Sequence, residues 1–197
     1  MKIGVYGGSF NPPHLGHIRA ALACQKELGL DRVLVIPASI PPHKQLSGNS
    51  PTAEQRLQLT KLAFSELPGF SVLDLELRRA GKSYTVDTIC TLKEQYPQDE
   101  LYLMMGTDMF LTFQDWYRPA EIAKRARLVC FSRYDADAKN RRALAKQAQA
   151  LKEAFCQMPL LLQNDCFDIS STEVRRLVLF GIAEPYLPAA VLERIEA

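Results

Sequence analysis

Short apolar segments alternate with longer amphipathic ones along most of the chain. Six of the apolar segments are rich in β-branched or aromatic residues and have the length of strands. They are Lys2–Tyr6, Arg32–Ile36, Phe70–Leu75, Glu100–Met105, Leu128–Phe131 and Pro159–Leu162. Because a strand in a parallel sheet is covered on both faces, these continuous apolar runs favour a parallel sheet.

The segments between the predicted strands have the end signals of helices. One helix spans Gly16–Leu28 before Gly29, another spans Thr85–Gln95, and Ser50 with Pro51 is expected to cap a third that runs to about Glu66. Further helices are expected from Pro119, over residues 136–155, from Ser170 to Gly181, and from Pro188. The Lys, Arg and Gln of residues 136–155 indicate a solvated helix face.

This alternation predicts a Rossmann-like α/β fold. We expect a doubly wound, mostly parallel sheet with helices on both faces and a C-terminal helical segment over about 168–197. The length of 197 residues suits one domain spanning 1–197. Ligands of such sheets bind outside the carboxyl ends of the strands, so candidate site residues should directly follow strands.

Composition excludes several classes of protein. Hydrophobic residues make up 47% and charged residues 23%, which is ordinary for a globular chain. No apolar run approaches the ~20 residues that span a bilayer, and the N-terminus lacks a secretory pattern, so we expect a cytoplasmic protein without a membrane partner. The net charge of +2 gives no general field for nucleic acid, so we expect no nucleic-acid partner.

The five cysteines form neither a disulfide framework nor a zinc motif by spacing. They are an odd number, lie far apart and include no C-x-x-C pair. We therefore expect reduced, mostly buried thiols.

The loop from Gly7 to His17, which follows the first predicted strand, is the most informative segment. Gly7 and Gly8 leave room for a polyphosphate to approach the backbone, and the following helix points its N–H groups to the same place. His14 and His17 are three residues apart, so a helix that includes both places them on one face as donors to phosphate oxygens. An H-x-x-H pair can also bind zinc, although His43 is the only other histidine.

A second anion-binding pattern is Ser170-Ser171-Thr172-Glu173, which reads as a capping box. By itself it indicates an ordinary helix start. Arg175, one turn inside, adds a forked donor that suits phosphate. Neither a P-loop lysine motif nor G-x-G-x-x-G follows the first strand.

The segments GSFNPPHLGH and ISSTEVR together resemble the H-x-G-H nucleotidyltransferases with their S-S-T-x-[IV]-R signature. PPHK at 41–44, GKSYTVDT at 81–88 and MGTDMFLTFQDWYRP at 105–119 extend the resemblance over nearly the whole chain, to the bacterial-type nicotinate mononucleotide adenylyltransferases. The resemblance implies that the 5′-phosphate of nicotinate mononucleotide attacks the α-phosphorus of ATP in line, with Mg²⁺ on the phosphates and no metal ligand from a protein side chain.

The resemblance also implies which residues form the site. His14, His17 and Arg175 would carry the catalysis. The remaining ATP-site residues would be Gly7, Gly8, Ser9, Phe10, Gly106, Asp108, Arg133, Ile169, Ser170 and Ser171. The mononucleotide would be bound by Lys44, Ser83, Tyr84, Thr85, Trp116 and Tyr117.

Alternatives remain at this point. Trp116 could stack on the pyridine ring or fill the core beside Phe113. The acceptor could be nicotinamide mononucleotide or phosphopantetheine, and the chain could be a catalytically silent nucleotide-binding regulator. A tRNA-charging module shares an H-x-G-H loop, but no K-M-S-K-S-like segment is present. The choice between monomer and homo-oligomer stays undecided.

Overall fold

The computed structural model describes residues 1–42, 50–79, 81–133, 138–164 and 169–196. Six strands form one sheet: β1 (Lys2–Gly8), β2 (Arg32–Pro37), β3 (Phe70–Val72), β4 (Glu100–Gly106), β5 (Ala126–Arg133) and β6 (Leu160–Asn164). Their order is β3-β2-β1-β4-β5-β6 and every neighbouring pair is parallel. The predicted doubly wound parallel sheet is confirmed, with β3 ending at Val72 rather than at Leu75.

Eight α-helices are described: α1 (Leu15–Leu28), α2 (Ala53–Phe64), α3 (Thr85–Gln95), α4 (Thr107–Leu111), α5 (Pro119–Arg125), α6 (Ala138–Phe155), α7 (Ser171–Leu179) and α8 (Ala189–Glu196). The short helix α4 was not predicted, because its segment directly follows a strand and resembled a loop. The predicted cap at Ser50 was wrong. Thr52 caps α2 instead, since its side chain accepts from the Gln55 N–H and the Gln55 side chain accepts from the Thr52 N–H.

Alternate residues of each strand enter two hydrophobic layers, which explains the continuous apolar runs. In β2, Leu34 and Ile36 belong to the layer that contains residues of α3, α4, α5 and α6. Val33 and Val35 of the same strand belong to the layer with residues of α1, α2, α7 and α8. Helices therefore cover both faces, and the C-terminal helices α7 and α8 belong to the same core as α1.

The described cysteines Cys24, Cys90, Cys130 and Cys156 are free thiols. Cys24 and Cys130 are buried, but Cys156 is exposed, so the expectation of mostly buried thiols holds only for part of the set. Burial raises the pKa of the Cys130 thiol to about 12, which keeps it protonated at neutral pH. Within the described ranges, no helix is both long and apolar enough to cross a membrane.

Candidate active site

β1 lies beside β4, and successive strands are added outward in opposite directions on the two sides of this pair. The loop after β1 begins at Ser9, and α4 begins directly after β4 at Thr107. Both therefore start at the carboxyl edge of the sheet, which is where ligands bind in folds of this order. Gly106, Asp108 and Arg133 end or directly follow β4 and β5, at the same edge.

His14 and His17 form a reciprocal cap at the start of α1. His14 is the N-cap residue in extended conformation, and its backbone N–H donates to Nδ1 of His17 at 3.2 Å. The two ring centroids are 3.7 Å apart. Because Nδ1 of a neutral His17 accepts a hydrogen bond, its proton is on Nε2, which makes Nε2 the nitrogen that can donate to a phosphate oxygen.

Phe10 anchors the loop between β1 and α1 by packing its ring into the hydrophobic core. Its backbone lies in the left-handed region with φ 43°, a conformation that costs a non-glycine residue roughly 1–2 kcal/mol. Its ring is fully buried and packs edge-on against Tyr6 and His17, with centroids 5.5 and 5.1 Å apart. Burial of the ring offsets the backbone cost, so we assign the side chain to supporting the loop.

The two glycines at the end of β1 differ in their surroundings. A Cβ on Gly8 would lie 3.0 Å from the Phe10 ring, whereas a Cβ on Gly7 would meet nothing within 4 Å. A side chain at position 8 would therefore press against the Phe10 ring. Gly7 is exposed beside open space, as expected of a backbone that a ligand approaches.

The beginning and the far end of the chain meet at this loop. Arg175 Nη1 donates to the Asn11 carbonyl at 2.6 Å, and Ser171 Oγ donates to the Pro12 carbonyl at 3.1 Å. Ser170 caps α7 in the predicted capping box with Glu173. The capping box is thus both an ordinary helix start and a contact with the H-x-G-H loop. We call this part of the site, residues 7–17 and 170–175, the phosphate side.

A second group of predicted residues surrounds the start of α3. Ser83 is buried, its Oγ accepts from the Ser39 N–H at 2.9 Å, and its own N–H donates to the Ile40 carbonyl at 2.9 Å. Tyr84 is the N-cap residue and Thr85 the first residue of α3. The rings of Tyr84 and Tyr117 lie 4.8 Å apart. We call residues 83–85 with 116–117 the acceptor side.

Trp116 is the residue of the acceptor side that packs against the hydrophobic core. Its ring is partly buried and its centroid is 5.3 Å from that of Phe113, which is fully buried. The neighbouring Tyr117 is 53% exposed. The contact with Phe113 fits the core-filling alternative, and the position beside Tyr117 fits a stacking surface. Lys44 lies outside the described residues, and Ile169 is buried in the layer with α7.

One residue of this region was not predicted. Arg56 of α2 is 1% exposed and donates to the Ser9 carbonyl from Nη1 and to the Ser39 carbonyl from Nη2, both at 2.8 Å. Arg56 is among the buried residues of α2, but no local sequence pattern distinguishes it from a solvent-exposed arginine.

Two other kinds of site are relevant, a metal site and a second groove. Within the described ranges, no group of three His, Cys, Asp or Glu side chains could hold a metal ion. A groove at the start of β4 and β5 is lined by residues that include Lys93, Asp99 and Arg127. It contains none of the predicted site residues and lies at the opposite edge of the sheet.

The chain resembles known proteins over almost its full length. Residues 5–177 match the family model described as cytidylyltransferase-like. A Geobacter sulfurreducens protein named “Probable nicotinate-nucleotide adenylyltransferase” is 39% identical, with 98% of this chain and 94% of the relative covered. A Thermus thermophilus protein of the same name is 40% identical, with 100% and 97% covered.

A solved structure has the same fold. The nicotinic acid mononucleotide adenylyltransferase of Plasmodium falciparum, in complex with NaAD, superposes with a TM-score of 0.75. The alignment covers 98% of this chain and 94% of that one, at 17% identity. The agreement extends from the central sheet to the C-terminal helices.

Proposed function

Since the chain belongs to the cytidylyltransferase-like family, and within it to the nicotinate-nucleotide adenylyltransferases, we propose that its site transfers the adenylyl group of ATP to nicotinate mononucleotide. The products are deamido-NAD and pyrophosphate, in a step of NAD biosynthesis. The observation that supports this best is the contact of Arg175 and Ser171 with the loop that carries His14 and His17.

The phosphate side has the donors that a triphosphate requires. The N-terminal ends of α1 and α7 present backbone N–H groups and the positive ends of two helix dipoles. His17 adds an imidazole N–H, and Arg175 adds a guanidinium held beside the same loop. The contacts between α7 and the loop support one shared binding site for the phosphates.

The proposed reaction is an in-line displacement. An oxygen of the acceptor's 5′-phosphate forms a bond to the α-phosphorus of ATP, while the bond from that phosphorus to the oxygen bridging to the β-phosphate breaks. Pyrophosphate leaves with that oxygen and its electron pair. No covalent enzyme intermediate forms, so positioning and charge stabilisation carry the catalysis.

In this reaction His14, His17 and Arg175 would hold the phosphates and stabilise the negative charge that develops on pyrophosphate. Asp108 is the one carboxylate among the predicted site residues and is exposed at the start of α4. With so few acidic ligands, the site fits Mg²⁺ that is held by phosphate oxygens and water. When bound, Mg²⁺ would neutralise phosphate charge.

The acceptor side would bind the mononucleotide. The Tyr84, Trp116 and Tyr117 rings offer flat surfaces for a pyridine, and Ser83 and Thr85 lie at the start of α3, where N–H groups favour an anion. Lys44 would add a cation. These assignments rest on the resemblance together with the placement of the described residues.

The experiment that tests the function is a pyrophosphate-release assay with ATP and one acceptor at a time. Nicotinate mononucleotide should give the highest kcat/KM and a product with the mass of deamido-NAD. A higher kcat/KM with nicotinamide mononucleotide or phosphopantetheine would replace the acceptor, and ATP binding without turnover of any acceptor would indicate a silent regulator. Cell fractionation tests the proposed cytoplasmic location.

A further inference from the structure

The guanidinium of Arg56 joins two loops that belong to different parts of the site. Its Nη1 donates to the Ser9 carbonyl in the loop after β1, and its Nη2 donates to the Ser39 carbonyl after β2, each at 2.8 Å. Ser9 lies in the same loop as the H-x-G-H segment, five residues before His14. Ser39 directly precedes Ile40, which forms a β-bridge with Lys82. One planar group therefore fixes the spacing between the phosphate side and the segment that supports the acceptor side.

The connection continues from Ser39 into α3. The Ser39 N–H donates to Ser83 Oγ at 2.9 Å, and the Ser83 hydroxyl in turn hydrogen-bonds the buried carboxylate of Glu76. Thr88 of α3 donates to the same carboxylate at 2.7 Å. Ser39 is thus held on both sides of its backbone, by Arg56 at its carbonyl and by Ser83 at its N–H.

The guanidinium of Arg56 is buried without a carboxylate partner among the described residues, which is unfavourable for a charged group. It is 1% exposed, and among the described residues no carboxylate oxygen lies within 4.0 Å of its guanidinium. Its Nε–H also lacks a hydrogen-bond partner in the described part of the chain. Burial lowers the pKa of Arg56. Moving a guanidinium out of water has a large free-energy cost. Two hydrogen bonds to neutral carbonyls, without a carboxylate partner, offset that cost poorly, so we do not expect stability alone to explain a buried arginine here.

We propose that Arg56 is a positioning residue for the reaction. Its two hydrogen bonds set the distance between the loop that holds the triphosphate and the segment that holds the acceptor. The inference rests on the proposed function, since it assigns the two loops to two substrates. Lysine keeps the positive charge at this position but has a single nitrogen in place of the planar fork. Arg56→Lys therefore removes the bridge and keeps the charge.

The test compares Arg56→Lys with wild type in the adenylyl-transfer assay, at a temperature where thermal melting shows both to be folded. We expect kcat/KM to fall about 10- to 100-fold for both substrates, with kcat reduced, because a small misplacement of the reacting groups has effects of this size. Leu59→Ala is the matched control. Leu59 is buried on the same helix, and its side chain cannot hydrogen-bond to either loop.

Leu59→Ala should lower the Tm and leave kcat and both KM values close to wild type. Should Arg56→Lys do the same, Arg56 has a structural role only and the inference is overturned. A second measurement uses the double variant Arg56→Lys with Ser83→Ala. If both side chains act through Ser39, the double variant should lose less than the product of the two single losses. A loss equal to that product would overturn the link through Ser39.

A failure of the proposed function is recognised separately, because wild-type protein would then fail to release pyrophosphate with nicotinate mononucleotide. In that case ATP binding by calorimetry still tests the positioning of the phosphate side. Arg56→Lys should weaken ATP binding, and Leu59→Ala should not. Equal ATP affinity in wild type and both variants would overturn the inference.

Discussion

The phosphate side is held by direct hydrogen bonds between the two ends of the chain, whereas the acceptor side is held by aromatic contacts and a buried polar chain between neighbouring segments. Arg175 and Ser171 reach Asn11 and Pro12 across about 160 residues of sequence. Tyr84 and Tyr117, by contrast, are in ring contact, with centroids 4.8 Å apart. Under the proposed function, the residues that hold the phosphates and the residues that select the acceptor are therefore fixed by different kinds of contact.

The largest effect is expected from the centre of the phosphate side. His17→Ala removes the proposed donor to the reacting phosphate, so kcat should fall about 10²–10³-fold, as when other enzymes lose one preorganised donor. It also removes the acceptor for the His14 N–H, at about 1 kcal/mol of stability. Steady-state kinetics and thermal melting measure the two effects.

His17→Gln is the matched control for that loss of stability. Glutamine at the third helical position can accept from the N-cap N–H, so this variant should keep the cap and still lose kcat. Near-normal kcat in either variant, or a loss fully explained by unfolding at the assay temperature, would remove His17 from the proposed mechanism.

Arg175 should come next in size. Arg175→Lys keeps the charge but loses the planar fork, whose Nη1 donates to the Asn11 and Ser171 carbonyls and whose Nη2 donates to Thr172 Oγ1. We therefore expect a higher KM for ATP and kcat/KM reduced by about 10- to 100-fold. The neighbouring Arg176 is exposed, and Arg176→Lys should leave both parameters unchanged. Equal kinetics of the two variants would contradict the assignment of Arg175.

The acceptor side should respond through binding rather than through kcat. Trp116→Ala should raise the KM for the pyridine nucleotide about tenfold and leave the KM for ATP unchanged, because ring stacking contributes roughly 0.5–1.5 kcal/mol. Phe113→Leu is the control, since Phe113 is fully buried beneath Trp116. It should lower the Tm without this selective change. The same pattern in both variants would favour the core-filling role of Trp116.

The smallest expected effect is a pH dependence of the free energy of unfolding. It arises from Glu76, whose buried carboxylate lies beside Ser83 of the acceptor side. Burial raises the pKa of Glu76 above its ordinary value of 4.5, against the hydrogen bonds of Thr88 and Ser83 and the charge of Arg79, while Asp87 raises it further. Between the unfolded and folded values the folded state binds more protons, so the free energy of unfolding should decrease as pH rises through that range.

Glu76→Gln should remove this pH dependence. Urea unfolding of both proteins between pH 4 and pH 7 measures it, and parallel curves for wild type and variant would contradict the raised pKa. Phosphate-side variants such as His17→Gln should retain the wild-type slope over the acidic part of this range, because Glu76 is unchanged in them.

Most of the sheet and half of the site could be predicted from the sequence, because each depends on local patterns. In the buried parallel strand Arg32–Pro37, every position after Arg32 is apolar. The capping residues of α1 and α7 are themselves among the proposed phosphate donors. The cap of α2 was misassigned because Ser50-Pro51 and Thr52-x-x-Gln55 are competing start signals two residues apart.

The rest depends on contacts between distant segments. No local pattern shows that Arg56 would be buried between two carbonyls, or that Phe10 would accept a left-handed backbone to bury its ring. The neighbourhood of Tyr84 and Tyr117 likewise follows from how α3 packs near the segment after α4. Side chains that act through tertiary contacts have no spacing of their own to reveal them.

The contact of α7 with the loop after β1 also sets an order of events during biosynthesis. The H-x-G-H loop is translated about 160 residues before Arg175. A nascent chain that ends before α7 therefore carries the histidines without their guanidinium partner. Under the proposed mechanism such a chain could not transfer the adenylyl group, so a chain released before α7 is made would not consume ATP.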